Sequence, residues 1–264
     1  MDKLTDEDLK KAEEIKDDLI KGAKCVYMPE KEVLKSVHFY IVAKKMLEKY
    51  ECNAFLIPCF EICATTRLNS ERYTFCLAHS LLKEDGIPSG CEADLNALMA
   101  QIVLMNLRNV APHMGNFHPL THPKMKQMGV DEGCNLVSIH HAVATRYMAG
   151  RDKAPAEYSL QCFTQSGWGA TIRYDFNQDK GKIITLLRFD PSGTKMLAIK
   201  ATIVEAQGTT DIGCHTGFIA KVDDVKDMYR KQKYFGHHFA WTYGDLREEL
   251  KEFGDVMGIE VVTA

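Results

Sequence analysis

Apolar residues recur with helical spacing through most of the first 108 positions of the chain. Residues 5–22, 29–50 and 73–84 each place apolar side chains three or four positions apart, which predicts three amphipathic helices. A nearly unbroken apolar run after Cys91 predicts a fourth helix, with Glu92 and Asp94 in its first turn. Residues 53–60 form a short apolar run that predicts a buried parallel strand. Together these elements indicate an α/β architecture.

The pattern changes after Asn109. Residues 109–134 are rich in Pro, His, Gly and Met and have no regular period, so we expect irregular structure there. Short strands separated by turn signals are then predicted at 135–140, 157–163, 169–175, 182–189, 196–206 and 215–221. The last four predicted elements are a helix at 223–233, a strand at 237–243, a helix at 245–257 and a strand at 259–263. We therefore expect an α/β domain over residues 1–108, followed by a mostly antiparallel β-barrel domain over residues 109–264.

Composition and charge argue against several kinds of partner. The formal net charge of −3 over 264 residues gives no electrostatic case for nucleic acid or an anionic membrane. The longest apolar run, 95–107, contains Asn and Gln and is too short to span a bilayer. Nine cysteines, an odd number without CxxC pairs, favour free thiols in a cytoplasmic protein over a disulfide framework or a zinc site.

Two carboxylates at the start of an otherwise apolar helix have two readings. The helix dipole favours an acidic side chain in the first turn by about 0.3–1 kcal/mol, so Glu92 and Asp94 are explained by capping alone. A functional role explains them equally well, because two carboxylates at this position could bind a ligand. Helix physics does not decide between these alternatives.

Histidines stand in adjacent pairs at two predicted strand ends, His140-His141 and His237-His238. Adjacent residues on a strand point to opposite faces, so at most one member of each pair can address a common site. A single histidine at a strand end is more often structural than a ligand, but two pairs together with acids indicate a site for Mn²⁺, Fe²⁺, Co²⁺ or Zn²⁺. Trp168, between two glycines, suits either stacking on a sugar ring or a turn.

Five short motifs follow one another along the chain. They are Cys-Phe-Glu at 59–61; Asp-Gly-Ile at 85–87 with Cys-Glu-Ala-Asp-Leu at 91–95; His-Met-Gly-Asn-Phe at 113–117; Asn-Leu-Val-Ser-Ile-His-His at 135–141; and Gly-His-His-Phe-Ala-Trp-Thr-Tyr-Gly-Asp at 236–245. In these motifs, and in their order from about residue 35 to the end, the sequence resembles the C-terminal part of the L-fucose isomerase-like and L-arabinose isomerase-like proteins.

The resemblance implies an oligomeric aldose–ketose isomerase with Rossmann-like α/β domains and a barrel-containing C-terminal domain. It also implies Mn²⁺ or a similar ion, such as Mg²⁺, Co²⁺ or Fe²⁺, and a small sugar substrate. Glu92 matches the first acidic ligand and proton-transfer residue, His238 the C-terminal histidine ligand, and His141 the strand histidine ligand. Asn116 falls at the second acidic position of the metal and catalytic site. The residues expected to contact substrate are Glu61, Asp94, His140 and Trp168, with His140 also the fallback for His141.

Two departures from the family pattern leave the function open. The Asn116 amide offers an oxygen to a metal but cannot take a proton, so Asp94 or Glu61 substitutes, the chemistry differs, or catalysis is lost. The family's additional N-terminal domain has no match, which suggests a fragment, or a homo-oligomer that works with a separate subunit supplying that domain. The leading hypothesis is an isomerase acting through an enediol. The alternatives are a non-catalytic sugar-binding or partner subunit and a metal-dependent sugar epimerase.

Overall fold

The helices of the first half form where the apolar spacing predicts them. The computed structural model describes residues 4–64, 69–120, 122–129 and 134–264. Helices α1 (Asp6–Gly22), α2 (Glu30–Lys49), α3 (Cys76–Glu84) and α4 (Leu95–Arg108) alternate with the two-residue strands β1 (Cys25–Val26), β2 (Phe55–Leu56) and β3 (Ser89–Gly90). A capping box between Thr5 and Asp8 starts α1. Strand β2 pairs with β3 in parallel, which confirms the direction predicted for 53–60.

The second half is mostly strands. In chain order its elements are β4 (His113–Pro119), α5 (His122–Met128), β5 (Leu136–His141), β6 (Ser159–Cys162), β7 (Ala170–Arg173), β8 (Ile183–Phe189), β9 (Lys195–Gln207), β10 (Thr216–Val222), α6 (Val225–Gln232), β11 (His238–Tyr243), α7 (Arg247–Met257) and β12 (Glu260–Thr263). A π-helix at Phe60–Ala64 and a 3₁₀-helix at Phe176–Asp179 complete the described elements.

Six of these strands close into an antiparallel barrel. Their order is β10-β5-β4-β11-β8-β9, and β9 pairs back to β10. Strand β12 adds to β9 in parallel. The expected combination of helices, small sheets and a mostly antiparallel barrel is therefore present. Strand β1 pairs with β6, across the domain boundary drawn from the sequence, and a division at residue 108 stays a prediction.

The barrel interior is filled by aromatic side chains. Trp241 is completely buried and makes edge-to-face contacts with Phe176, Phe218 and Tyr243. Such contacts stabilise a core beyond the area that they bury. The barrel is a packed core rather than a channel, so any functional site has to lie at its surface or its rim.

Helix α4 covers part of the outside of the barrel. Ala100 and Leu104 of the helix pack in one apolar cluster with Leu187 of β8 and Ala240 of β11. This packing fixes the start of α4 beside the start of β11. The cap of the helix, Asp94, is thereby brought next to His238.

Two local expectations were wrong. The segment 109–134 contains β4, which pairs with both β5 and β11 inside the sheet, because backbone pairing on two sides outweighs its His, Gly and Pro composition. Helix α4 starts after Asp94, so Glu92 precedes the helix instead of lying in its first turn. None of the helices in the described residues is long and apolar enough to cross a membrane.

Candidate functional site

Glu92, His141 and His238 converge where the start of α4 meets the sheet. Each offers one ligand atom, and these atoms all lie within 4.8 Å of one another. The Oε1 atom of Glu92 is 3.2 Å from Nε2 of His141, and the two imidazole ring centroids are 4.9 Å apart. Both histidines are buried, and Glu92 is half-buried. The structure thus brings together three residues that the sequence predicted as metal ligands.

A tight turn between β3 and α4 presents the Glu92 carboxylate. Glu92 and Ala93 have φ angles of +59° and +53°, in the left-handed region that residues with a side chain rarely occupy. The N–H of Ala93 donates to the carbonyl of Ile57 at 3.0 Å, and Asp94 caps α4 by accepting from the N–H of Ala97 at 3.0 Å. Such strain costs about 1–3 kcal/mol per residue and persists where the surrounding structure enforces it, often at functional sites.

Asp94 and Arg188 hold His238 in place. The Asp94 carboxylate lies 3.3 Å from Nδ1 of His238 and 2.6 Å from a guanidinium nitrogen of Arg188. Arg188 also donates to the backbone carbonyls of Phe235 and His238, which ties β8 to the start of β11. Burial alone would raise the pKa of Asp94, but His238 and Arg188 outweigh it and hold that pKa well below its usual range. Asp94 is therefore a permanent anion beside His238.

The protonation states of Glu92 and His141 suit a cation. Burial would raise the pKa of Glu92, but the contact with His141 and the nearby His238 lower it below its ordinary value. Burial lowers the pKa of His141 to about 4, against the opposing effect of Glu92. At neutral pH the pair is a carboxylate beside a neutral imidazole, which is the form in which both residues act as ligands.

The unpaired atoms of the site fit a metal ion. Both ring nitrogens of His238 and Nδ1 of His141 are buried and have no hydrogen-bond partner in the described part of the chain, although Nδ1 of His238 lies 3.3 Å from the Asp94 carboxylate. Buried polar atoms without a partner are costly, so a group that satisfies them is expected. Two imidazoles and one carboxylate form a donor set that suits a divalent ion such as Mn²⁺, Fe²⁺, Co²⁺ or Zn²⁺. This buried Glu/His/His group has the composition to hold a metal ion.

Asn116 is adjacent to this group in the sheet. It lies in β4 directly opposite His238 of β11 and directly opposite His140 of β5. Directly opposite residues have their Cβ atoms about 4.5–5.5 Å apart, so Asn116 is the cross-strand neighbour of His238. Its role as a ligand or a catalytic residue stays a prediction.

The remaining predicted residues lie apart from the three converging side chains. The His140 ring contacts His118 and His215 instead. Glu61 is exposed on the π-helix. Trp168 is buried in a turn held by Thr164. It lines a cavity of about 550 Å³ whose other lining residues are Cys63, Asn69, Ser70, Arg72, Phe163, Thr164 and Ser166. Substrate contact by these residues stays a prediction.

Sequence reasoning missed Arg188 and a buried lysine. A charged residue within the apolar run Ile183–Phe189 was the one available signal for Arg188. Lys83 is completely buried and donates to the carbonyls of Pro112 and Val143, at 2.9 and 2.8 Å, in the segments next to β4 and β5. Burial lowers the pKa of its amine to about 7.

Comparison with known proteins finds distant relatives that share one name. The chain is 25% identical over 239 residues to proteins named sulfoquinovose isomerase from Priestia aryabhattai and Priestia megaterium, with 88% of the chain and 48% of each relative covered. A protein of the same name from Alkalicoccus urumqiensis is 24% identical over 194 residues, with 71% of the chain and 40% of the relative covered. The chain thus spans about half the length of the curated relatives that it matches. No family model matches the sequence. These similarities support a relationship to a family of sugar isomerases.

Proposed function

We propose that this chain carries the metal and proton-transfer site of an aldose–ketose isomerase, which interconverts open-chain sugars through an enediol. The observation that carries the proposal is the convergence of Glu92, His141 and His238 at one end of α4. The similarity to proteins named sulfoquinovose isomerase supports the same class of reaction. Within that class the resemblance to the L-fucose and L-arabinose isomerase-like proteins is our more specific assignment.

Glu92, His141 and His238 would hold the ion, with Asn116 as a neutral fourth donor. Mn²⁺ is our first choice, with Mg²⁺, Co²⁺ and Fe²⁺ as alternatives. When bound, such an ion supplies a Lewis acid and a template for neighbouring sugar oxygens. Asp94 would then orient His238, because a carboxylate that contacts the second nitrogen of a ligating histidine fixes the orientation of its ring. Arg188 would hold the Asp94 carboxylate in position.

Glu92 is the residue that we assign to proton transfer. Its lowered pKa keeps it ionised at neutral pH, so it can accept the proton from C2 of the sugar and return it to C1. The hydroxyl proton on O2 passes to O1, so the overall reaction balances. Asn116 has no basic group, and Asp94 is held as a weak base by Arg188. A single carboxylate therefore acts in both proton transfers.

The substrate that we propose to test first is sulfoquinovose, because the relatives carry that name. We also propose that the protein works as a homo-oligomer, as the family resemblance implies. A second, different subunit would supply the segments of the sugar pocket that the relatives carry elsewhere in their sequences.

Product analysis with and without Mn²⁺ tests the proposal. The full chain is incubated with sulfoquinovose and a panel of aldoses in D₂O, and products are identified by NMR. We expect a ketose that forms only with a divalent ion and carries deuterium at C1 in those turnovers in which the proton held by Glu92 exchanges with D₂O before its return. This product should be lost in Glu92→Gln but not in the exposed control Glu252→Gln. Recovery of a C2 epimer would assign an epimerase instead. Metal binding without any turnover would favour a sugar-binding or partner subunit.

A further inference from the structure

A second pair of imidazoles converges on neighbouring strands of the same sheet. His118 of β4 and His140 of β5 bring their Nε2 atoms to 3.4 Å, and both side chains are half-buried. Neither residue belongs to the group formed by Glu92, His141 and His238. We propose that His118 and His140 form a second divalent-metal site, suited to Zn²⁺.

Backbone contacts fix the tautomers of both rings. Nδ1 of His140 lies 2.7 Å from the carbonyl oxygen of Cys214, and Nδ1 of His118 lies 3.1 Å from the carbonyl oxygen of Pro119. A carbonyl oxygen only accepts, so each Nδ1 carries the hydrogen and each neutral ring presents a lone pair at Nε2. A histidine whose far nitrogen donates to a carbonyl is the usual arrangement around a bound metal.

The distance between the two Nε2 atoms matches a shared ion. With Zn–N bonds of about 2.0–2.1 Å and tetrahedral angles, two nitrogens on one ion lie roughly 3.3 Å apart. The observed separation is 3.4 Å. Two lone pairs that face each other at this distance repel unless a cation lies between them. The geometry is therefore that of a two-histidine half-site.

The surroundings favour a cation over an anion. A cavity of about 430 Å³ adjoins His140, and the residues that line it are Ser138, His140, Ala206, Gln207, Gly208, Asp211 and His215. These include a carboxylate and contain neither Lys nor Arg. The ring of the exposed His215 lies 5.8 Å from that of His140, centroid to centroid, so rotation of its side chain would supply a third imidazole.

An ion at this position would join three parts of the chain. It would link β4 and β5 to the segment that follows β9, which carries Asp211 and His215. His140 of the second site directly precedes His141 of the first site on β5, and adjacent residues on a strand point to opposite faces of the sheet. The two ions would be bound separately but close to each other.

Zinc titration of the intact chain tests the proposal. The protein is stripped with a chelator and titrated with Zn²⁺ alone against a chromophoric competitor. We expect two equivalents for the unmodified protein, one for His118→Gln, one for Glu92→Gln and two for the control His38→Gln, a half-buried histidine on α2. In His118→Gln the second equivalent should weaken by more than about tenfold. Circular dichroism shows whether each variant is folded.

A measurement on the unmodified protein avoids any dependence on variant folding. In ¹⁵N-histidine NMR spectra, Zn²⁺ should shift the Nε2 resonances of His118 and His140 together. Unchanged resonances, or full zinc binding by folded His118→Gln, would overturn the proposal, as would sulfate binding to the pair in place of zinc. Loss of zinc in His118→Gln but not in Glu92→Gln would support this site while counting against the metal site of the proposed function.

Discussion

The carboxylate of Asp94 lies 3.3 Å from Nδ1 of His238, although 144 positions separate the two residues in the sequence. Asp94 is at once the cap of α4 and the partner of Arg188. One side chain thus links the start of α4, the start of β11 and the end of β8. This contact leaves Nε2 of His238 buried and without a partner among the described residues, as expected for a nitrogen reserved for a ligand.

Replacing Arg188 tests whether this support matters. In Arg188→Met, Asp94 loses its cation, so we expect the pKa of Asp94 to rise and the ring of His238 to lose its fixed orientation. The affinity for a divalent ion should fall by about 10–100-fold, as for other residues that orient a metal-binding histidine. Calorimetric titration with Mn²⁺ measures this change.

The loss of folding stability in Arg188→Met provides a second measurement on that variant. Breaking a largely buried ion pair typically costs about 3 kcal/mol or more, so the free energy of unfolding of Arg188→Met should fall by roughly that amount. The matched control is Arg108→Met, whose ion pair with Glu249 is exposed, and it should change by less than about 1 kcal/mol. Equal metal affinities in both variants would contradict a positioning role for Arg188.

The buried amine of Lys83 predicts a rise of stability with pH. Its pKa is lowered to about 7 in the folded chain, against an ordinary value of 10.5. Between pH 7 and pH 9 the unfolded chain therefore binds more protons than the folded one. The free energy of unfolding should rise with pH there, by at most about 1.4 kcal/mol per pH unit.

Removing the titrating group should remove this slope. In Lys83→Met the free energy of unfolding, measured by urea titration at several pH values, should vary less between pH 7 and pH 9. The donations to Pro112 and Val143 are lost at every pH, so they shift the whole curve and leave its slope unaffected. A slope as steep in Lys83→Met as in the unmodified protein would show that Lys83 is not the group that titrates.

The barrel core predicts a large effect of a single truncation. Phe218 is completely buried against Phe176 and Trp241, so Phe218→Ala should lower the free energy of unfolding by about 3–5 kcal/mol. The exposed Tyr229 on α6 is the matched control, and Tyr229→Ala should change the free energy of unfolding by less than about 0.5 kcal/mol. Similar losses in both variants would be incompatible with this packed interior.

The spacing of apolar residues predicted most helices and strands, because each of these elements buries either one face or its whole length. The strands from β5 to β12 and the helices α1 to α4 follow from apolar spacing and turn residues. Apolar spacing alone did not predict strand β4, because His113, Gly115 and Pro119 carry no strand preference and the pairing of β4 with β5 and β11 is not visible in a local window. Its stability comes from long-range contacts.

The site was predictable in its residue types but not in its geometry. Glu92, His141 and His238 were identified from motifs, whereas the left-handed turn at Glu92 was read as helix because the apolar run begins close by. Arg188 was missed because its pairing with Asp94 depends on how α4 lies across the barrel. The Nε2 contact between His118 and His140 likewise requires the register of β4 against β5.

Binding of Mn²⁺ to the chelator-stripped protein, followed by electron paramagnetic resonance, tests the central claim most directly. Mn²⁺ binds histidine-only sites weakly compared with Zn²⁺, so at low concentration it reports on the site that contains a carboxylate. We predict one bound Mn²⁺ per chain for the unmodified protein and for Glu252→Gln, and none for folded Glu92→Gln. Undiminished Mn²⁺ binding by Glu92→Gln would contradict the assignment of Glu92, His141 and His238 as the metal site.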